Sequence, residues 1–252
     1  MFKVTPSPNI MQLHIPHLGY GLPERWRQEW PLQHLARSMG VPMRIRPHDM
    51  RSDRAFLPGS GLVHMPKPSY MRKAEDNVDK NRDAYPLLRA IAEMGKHLTP
   101  VGIRIDMHMD EPMRDYSLTD ETRKAWEVIE AADDYDTCIL EVSMDDEFAG
   151  ETPAIAAQQL GRYHVGLDAY ACLMTLYMTH KIHGGLHTAT HHISCLGSKY
   201  DHRGRGKAMD TPRIDVELGH FGVDWNFAED RARPLHVNAV WKNANQDYRP
   251  AT

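Results

Sequence analysis

Seven of this chain's 16 histidines fall between residues 152 and 202: His164, His180, His183, His187, His191, His192 and His202. The densest part reads His183-Gly-Gly-Leu-His187-Thr-Ala-Thr-His191-His192. Imidazole binds borderline metals and exchanges protons near neutral pH, so this density points to metal or proton-transfer chemistry. His187 and His191 are four apart, which on a helix puts them on one face with Cβ atoms about 6 Å apart, within reach of one ion. In a strand the same pair also shares a face, but at a rise of ~3.3 Å per residue the Cα atoms stand roughly 13 Å apart, too far for one ion. A shared metal therefore requires a helical turn over about 186–192, or a tight loop, whereas β-branched Thr188, Thr190 and Ile193 favour strand. No Glu follows the first histidine, so the HExxH pattern of zinc proteases is absent. The expected protein ligands are His183, His187, His191 and His192, with Zn²⁺ or Fe²⁺ as the ion. Histidines hydrogen-bonded to backbone are the plainer alternative.

A second group lies in residues 101–112, Val-Gly-Ile-Arg-Ile-Asp-Met-His-Met-Asp-Glu-Pro. Strand alternation puts Val101, Ile103, Ile105, Met107 and Met109 on one face and Arg104, Asp106, His108 and Asp110 on the other. Open α/β sheets bind ligands beyond the carboxyl ends of their strands, so Asp106 is a candidate metal ligand and His108 a candidate catalytic residue. A half-buried strand with a solvated face gives the same pattern. His164 and Asp168 complete the catalytic candidates: at i and i+4 of an expected helix, Asp168 is placed to orient His164 as a general base.

These residues need elements to hold them. Residues 9–15 and 41–46 have strand character, with a helix over 24–39 between them and Gly40 at its end. Residues 51–70 are rich in Pro, Gly and Ser and are expected as a lid-like loop from which Lys67 and Tyr70 reach a substrate. Residues 83–97 have helical character. Ser117 and Thr119 are candidate N-caps for a helix reaching Ala132, followed by a strand over 137–143. Strands 101–109 and 137–143, joined by one helix, are expected to be neighbours in one sheet. A long helix is expected from Pro153 to about His180, with Tyr163, Leu167, Tyr170, Met174 and Tyr177 as its buried stripe; Gly161 and Gly166 threaten its start. Residues 211–218 and 235–241 are expected to pair as an antiparallel hairpin around a loop at 221–233, and residues 243–252 to form a loose tail.

The fold class implied is mixed α/β in a single domain over 1–252: a three-layer-like core with a C-terminal helix, the histidine-rich loop and an antiparallel hairpin. With 30 Lys+Arg against 34 Asp+Glu the net charge is -4, and no basic stripe interleaves with aromatics, so no nucleic-acid partner is expected. No apolar run approaches the 18 or so residues of a membrane span, and residues 1–6 lack a signal peptide's apolar core, so no membrane partner is expected and the setting is cytoplasmic. Cys138, Cys172 and Cys195 show no CxxC spacing and are expected as free thiols. The 15 methionines fit adaptable core packing better than soft-metal binding.

The leading expectation is a metal-dependent hydrolase or oxygenase acting on a small organic molecule, as a homo- or hetero-oligomer. An alternative rests on element order. A strand at 9–15, a loop Leu18-Gly-Tyr-Gly21, a helical insertion and Glu151-Thr152-Pro153 resemble DsbA-related thioredoxin-like proteins, with the loop at the active-site motif and Pro153 at the cis-proline. This chain has no cysteine at 18–21 and expects a helix after Pro153, which excludes redox catalysis by that motif and leaves a relative that binds a thiol cofactor. A third class is a non-catalytic subunit of a larger assembly, whose Trp26, Trp30, Trp225 and Trp241 serve an interface.

Overall fold

The computed structural model describes residues 22–47, 60–73, 104–107, 116–143, 151–160, 164–183, 191–200, 210–217, 220–226, 236–238 and 240–242. It is a mixture of helices and small sheets. Helix α1 (Leu22–Met39) ends as expected: Gly40 takes a left-handed φ of 68°, and the N–H groups of Gly40 and Val41 return to the carbonyls of Arg37 and Ala36. Helix α2 is Pro68–Lys73. Helix α3 (Asp120–Ala132) is capped by Thr119, whose hydroxyl accepts from the Thr122 N–H, with Asp120 and Glu121 at the positive end of its dipole. Helix α4 (Pro153–Gln159) is capped by Thr152. Helix α5 (Ala169–His183) is buried at every position from Ala169 to Met178, the pattern of a helix enclosed by the protein.

Strands β1 (Ser60–Pro66), β4 (Thr137–Ser143), β5 (His164–Gly166) and β11 (Val240–Lys242) form an antiparallel sheet in the order β1-β4-β11-β5. Strands β2 (Arg104–Met107), β6 (His191–Ser194), β8 (Thr211–Glu217), β9 (His220–Asn226) and β10 (His236–Asn238) form a second sheet, ordered β10-β6-β8-β9-β2. Its outer pairs are parallel and its inner pairs antiparallel. Strands β3 (Tyr116–Leu118) and β7 (Ser198–Tyr200) make a two-stranded ribbon. Helix α5 touches both large sheets, meeting β1 of the first and β8 of the second, and α1 packs on α5 and β1. Ile193 and Ile214 of the second sheet share one buried cluster with Leu167, Leu173, Leu176 and Tyr177. Among the described residues no helix is long and apolar enough to cross a membrane.

Several expectations are corrected. The single helix from Pro153 to about His180 is two helices separated by β5. The cause is a long-range contact: a Cβ on Gly197 would lie 2.1 Å from the Gly166 carbonyl oxygen, so two backbones meet where only glycine fits, and the Gly197 N–H donates to Leu167 O at 3.0 Å. Of the expected stripe, Leu167, Tyr170, Met174 and Tyr177 are buried, and Tyr163 lies outside the described residues. Strands β2 and β4 are not neighbours, because β4 pairs with β1 and β11 while β2 pairs with β9 in the other sheet. The partner of β8 is β9, within the segment expected as a loop, and β10 and β11 go to different sheets. Within 41–47 the N–H groups of Arg44 and Arg46 bond the Asp136 and Thr137 side chains, so that segment is not a ladder strand. The part of the expected lid from residue 60 onward is β1 and the start of α2. Lys67 and Tyr70 are buried there, held by Asp133 and by Val41 O, and do not face a substrate. Residues 9–15, 51–59, 83–97 and 243–252 lie outside the described residues.

Candidate functional site

Alternation and register sort the second sheet into two faces. The face bearing Ile193 and Ile214 is buried in the core with α5. The opposite face holds the positions His192 and Ser194 of β6, Thr211, Arg213, Asp215 and Glu217 of β8, His220, Gly222, Asp224 and Asn226 of β9, Arg104 and Asp106 of β2, and His236 and Asn238 of β10. None of these residues is hydrophobic. Among the described side chains of this face His192, Arg213 and Asp215 are partly exposed, whereas Ser194 and Thr211 are buried. One register row crosses all five strands: His236, His192, Asp215, Gly222 and Asp106.

At the centre of the row three side chains interlock. His192 Nδ1 lies 2.5 Å from Asp215 Oδ1 across the β6–β8 pair. Arg213 Nη2 donates to Asp215 Oδ2 at 2.9 Å, and its Nε lies 2.8 Å from Oδ1 as an ion-pair contact without the angle of a hydrogen bond. All are half-buried, with His192 at 15% and Asp215 at 17% side-chain exposure. Burial pushes the Asp215 carboxyl up, but the hydrogen bond from His192 and the Arg213 charge outweigh it and hold the carboxyl below its ordinary value. An ionised Asp215 accepts the Nδ1 proton, which fixes the imidazole tautomer and makes Nε2 the nitrogen for a metal or a substrate proton.

The expected site residues are dispersed relative to this row. His183 closes α5, and His187 and His108 lie outside the described residues. His191 opens β6, so the helical turn required for pairing it with His187 does not extend through 191 and 192; the strand preference of Ile193 prevails. His191 also occupies the core-side register of Ile193, on the opposite face from His192. Asp106 shares the polar face with His192 but sits three strands away, roughly 14 Å at ~4.8 Å per strand, so the two cannot ligate one ion. His164 belongs to β5 in the other sheet, paired with Lys242, and does not share a helix with Asp168. Asp168 instead caps α5: its carboxylate accepts from the Ala171 N–H at 3.1 Å and from Trp126 Nε1 at 3.3 Å. Burial raises its carboxyl to about 6 despite those bonds. The proposed His164–Asp168 acid–base pair is therefore replaced by a structural cap.

Asp215, Arg213 and His236 were not singled out from the sequence. The alternation of Arg213, Asp215 and Glu217 is plain in it; what is missing is the cross-strand register that sets Asp215 beside His192 and His236 on its other side. Among the described residues no three His, Cys, Asp or Glu side chains already converge as a metal cage. The three cysteines are free and buried. No family model, no curated protein and no solved structure matches this chain. Pro153 follows a trans peptide and opens α4, so the position that the thioredoxin-like resemblance gives to a cis-proline is the first residue of a helix.

Proposed function

We propose that this protein is a metal-dependent enzyme, a hydrolase or oxygenase acting on a small organic substrate, with Zn²⁺ or Fe²⁺ held on the polar face of the second sheet. The observation that carries this reading is the His192–Asp215 contact. A carboxylate behind Nδ1 is the recurrent outer support of a metal-binding imidazole, and it turns Nε2 toward the ion. His236 occupies the paired position on the adjacent strand, about 4.8 Å away in the sheet, so two imidazole positions lie within the span of one ion. A third ligand is expected from His183 or His187, in the stretch that leads into β6. The ion would supply Lewis acidity, and Asp106, across side-chain-free Gly222, is available to the substrate instead of the metal. In this reading α5 between the two sheets forms a three-layer core, in a cytoplasmic protein.

Isothermal titration of metal-free protein with Zn²⁺ tests the proposal. Wild type should bind one ion, His192→Ala and His236→Ala should each abolish binding, and Asp215→Asn should weaken it about 10- to 100-fold. Wild type that takes up no zinc and no Fe²⁺ would reject the metal reading and favour the non-catalytic subunit, for which Trp30, 54% exposed on α1, is the side chain to examine.

A further inference from the structure

We infer that Arg213 is the positioning residue of this site, acting on the metal-binding imidazole only through Asp215; the role in metal binding rests on the function proposed above. Arg213 and Asp215 are two apart on β8 and therefore share the polar face, and His192 stands directly opposite Asp215 on β6. A carboxylate turns about its last side-chain bond, and one hydrogen bond to an imidazole does not fix that angle. The guanidinium adds a second restraint: Nη2 donates to Oδ2 at 2.9 Å, and Nε stands 2.8 Å from Oδ1 as an ion-pair contact without hydrogen-bond geometry, so the planar cation lies against both carboxylate oxygens. Oδ1 is then aimed at His192 Nδ1. The chain is Arg213, Asp215, His192, each holding the next. A lysine carries the same charge but is a point donor on a flexible stem, so it cannot lie flat against both oxygens.

The test uses the full chain, first metal-free and then titrated with Zn²⁺. By proton NMR the His192 Nδ1–H should appear as a low-field resonance in wild type, absent in Asp215→Asn. Arg213→Gln should shift or broaden it out, and should weaken Zn²⁺ binding about 10-fold or more. Arg213→Lys should restore less than half of either effect. A resonance and a zinc affinity unchanged in Arg213→Gln would overturn the inference, as would full wild-type behaviour in Arg213→Lys, since charge alone would then suffice. If Arg213→Gln does not fold, the lysine variant decides by the same two readouts. Wild type that binds no zinc removes the proposed function but leaves the metal-free resonance to decide what Arg213 does.

Discussion

Two aspartates show how one residue type does opposite work. Asp215 is held ionised by a cation and an imidazole, whereas Asp168 is buried with no cationic partner among the described residues and has its carboxyl raised to about 6 from an ordinary 3.8. The sign of the resulting pH dependence follows. Ionising Asp168 is disfavoured only in the folded state, so its unfavourable contribution is absent below the unfolded value and complete above about 6; stability from this group falls as pH rises between them. Asp168→Asn keeps an acceptor for the Ala171 N–H and removes the titration. Urea unfolding at pH 4 and pH 7 should show wild type losing on the order of 2 kcal/mol relative to this variant as pH rises. A difference independent of pH would contradict the assignment. At this scale the sequence was partly legible. His192 and Asp106 were singled out by type, but what His192 touches depends on the β6–β8 register. His236, which sequence distance would recommend as a remote control, is its neighbour across the β6–β10 pair.

At the scale of elements, caps and breakers were the readable part. Thr119, Thr152 and Gly40 mark the ends assigned to them, because each acts within a few residues of itself. The break between α4 and α5 was readable only in part: Gly166 stands out in the sequence as a weak point of the helix, but it meets Gly197 across 31 positions of chain, and only the folded contact shows why neither carries a side chain. Gly197→Ala should cost about 3 kcal/mol, the upper end of ordinary overpacking, because the obstructing atom is a backbone oxygen that cannot rotate away. Denaturant unfolding within about 0.5 kcal/mol of wild type would show that the two loops separate readily. Strand pairing failed for the same reason as the break: periodicity says which residues of 137–143 share a face, and nothing about which strand lies alongside.

For the molecule as a whole, mixed α/β composition was legible and topology was not. One device that binds distant segments is a buried charge. Lys67 is 1% exposed, and its Nζ donates to Asp133 O at 2.9 Å and to Asp133 Oδ1 at 3.0 Å; Asp133 also takes Arg46 Nη1 at 2.9 Å. The strand end of β1, the exit of α3 and the 41–47 segment are thereby tied at one carboxylate. Asp133→Ala should destabilise by about 3–5 kcal/mol because it leaves the ammonium buried without a counter-charge, and adding Lys67→Met should recover most of the loss. A double variant no more stable than Asp133→Ala would mean that the damage lies in the Arg46 tie instead. While that clamp secures one side of the molecule, the chemistry is assigned to the polar face of the other sheet, and one measurement tests the assignment most directly: the anomalous scattering of zinc in crystals of the wild-type protein. The account predicts a single strong peak about 2.0–2.1 Å from His192 Nε2 and at the same distance from an imidazole nitrogen of His236. No peak within reach of His192, or a zinc bound elsewhere with the His192–Asp215 pair left unliganded, would contradict it.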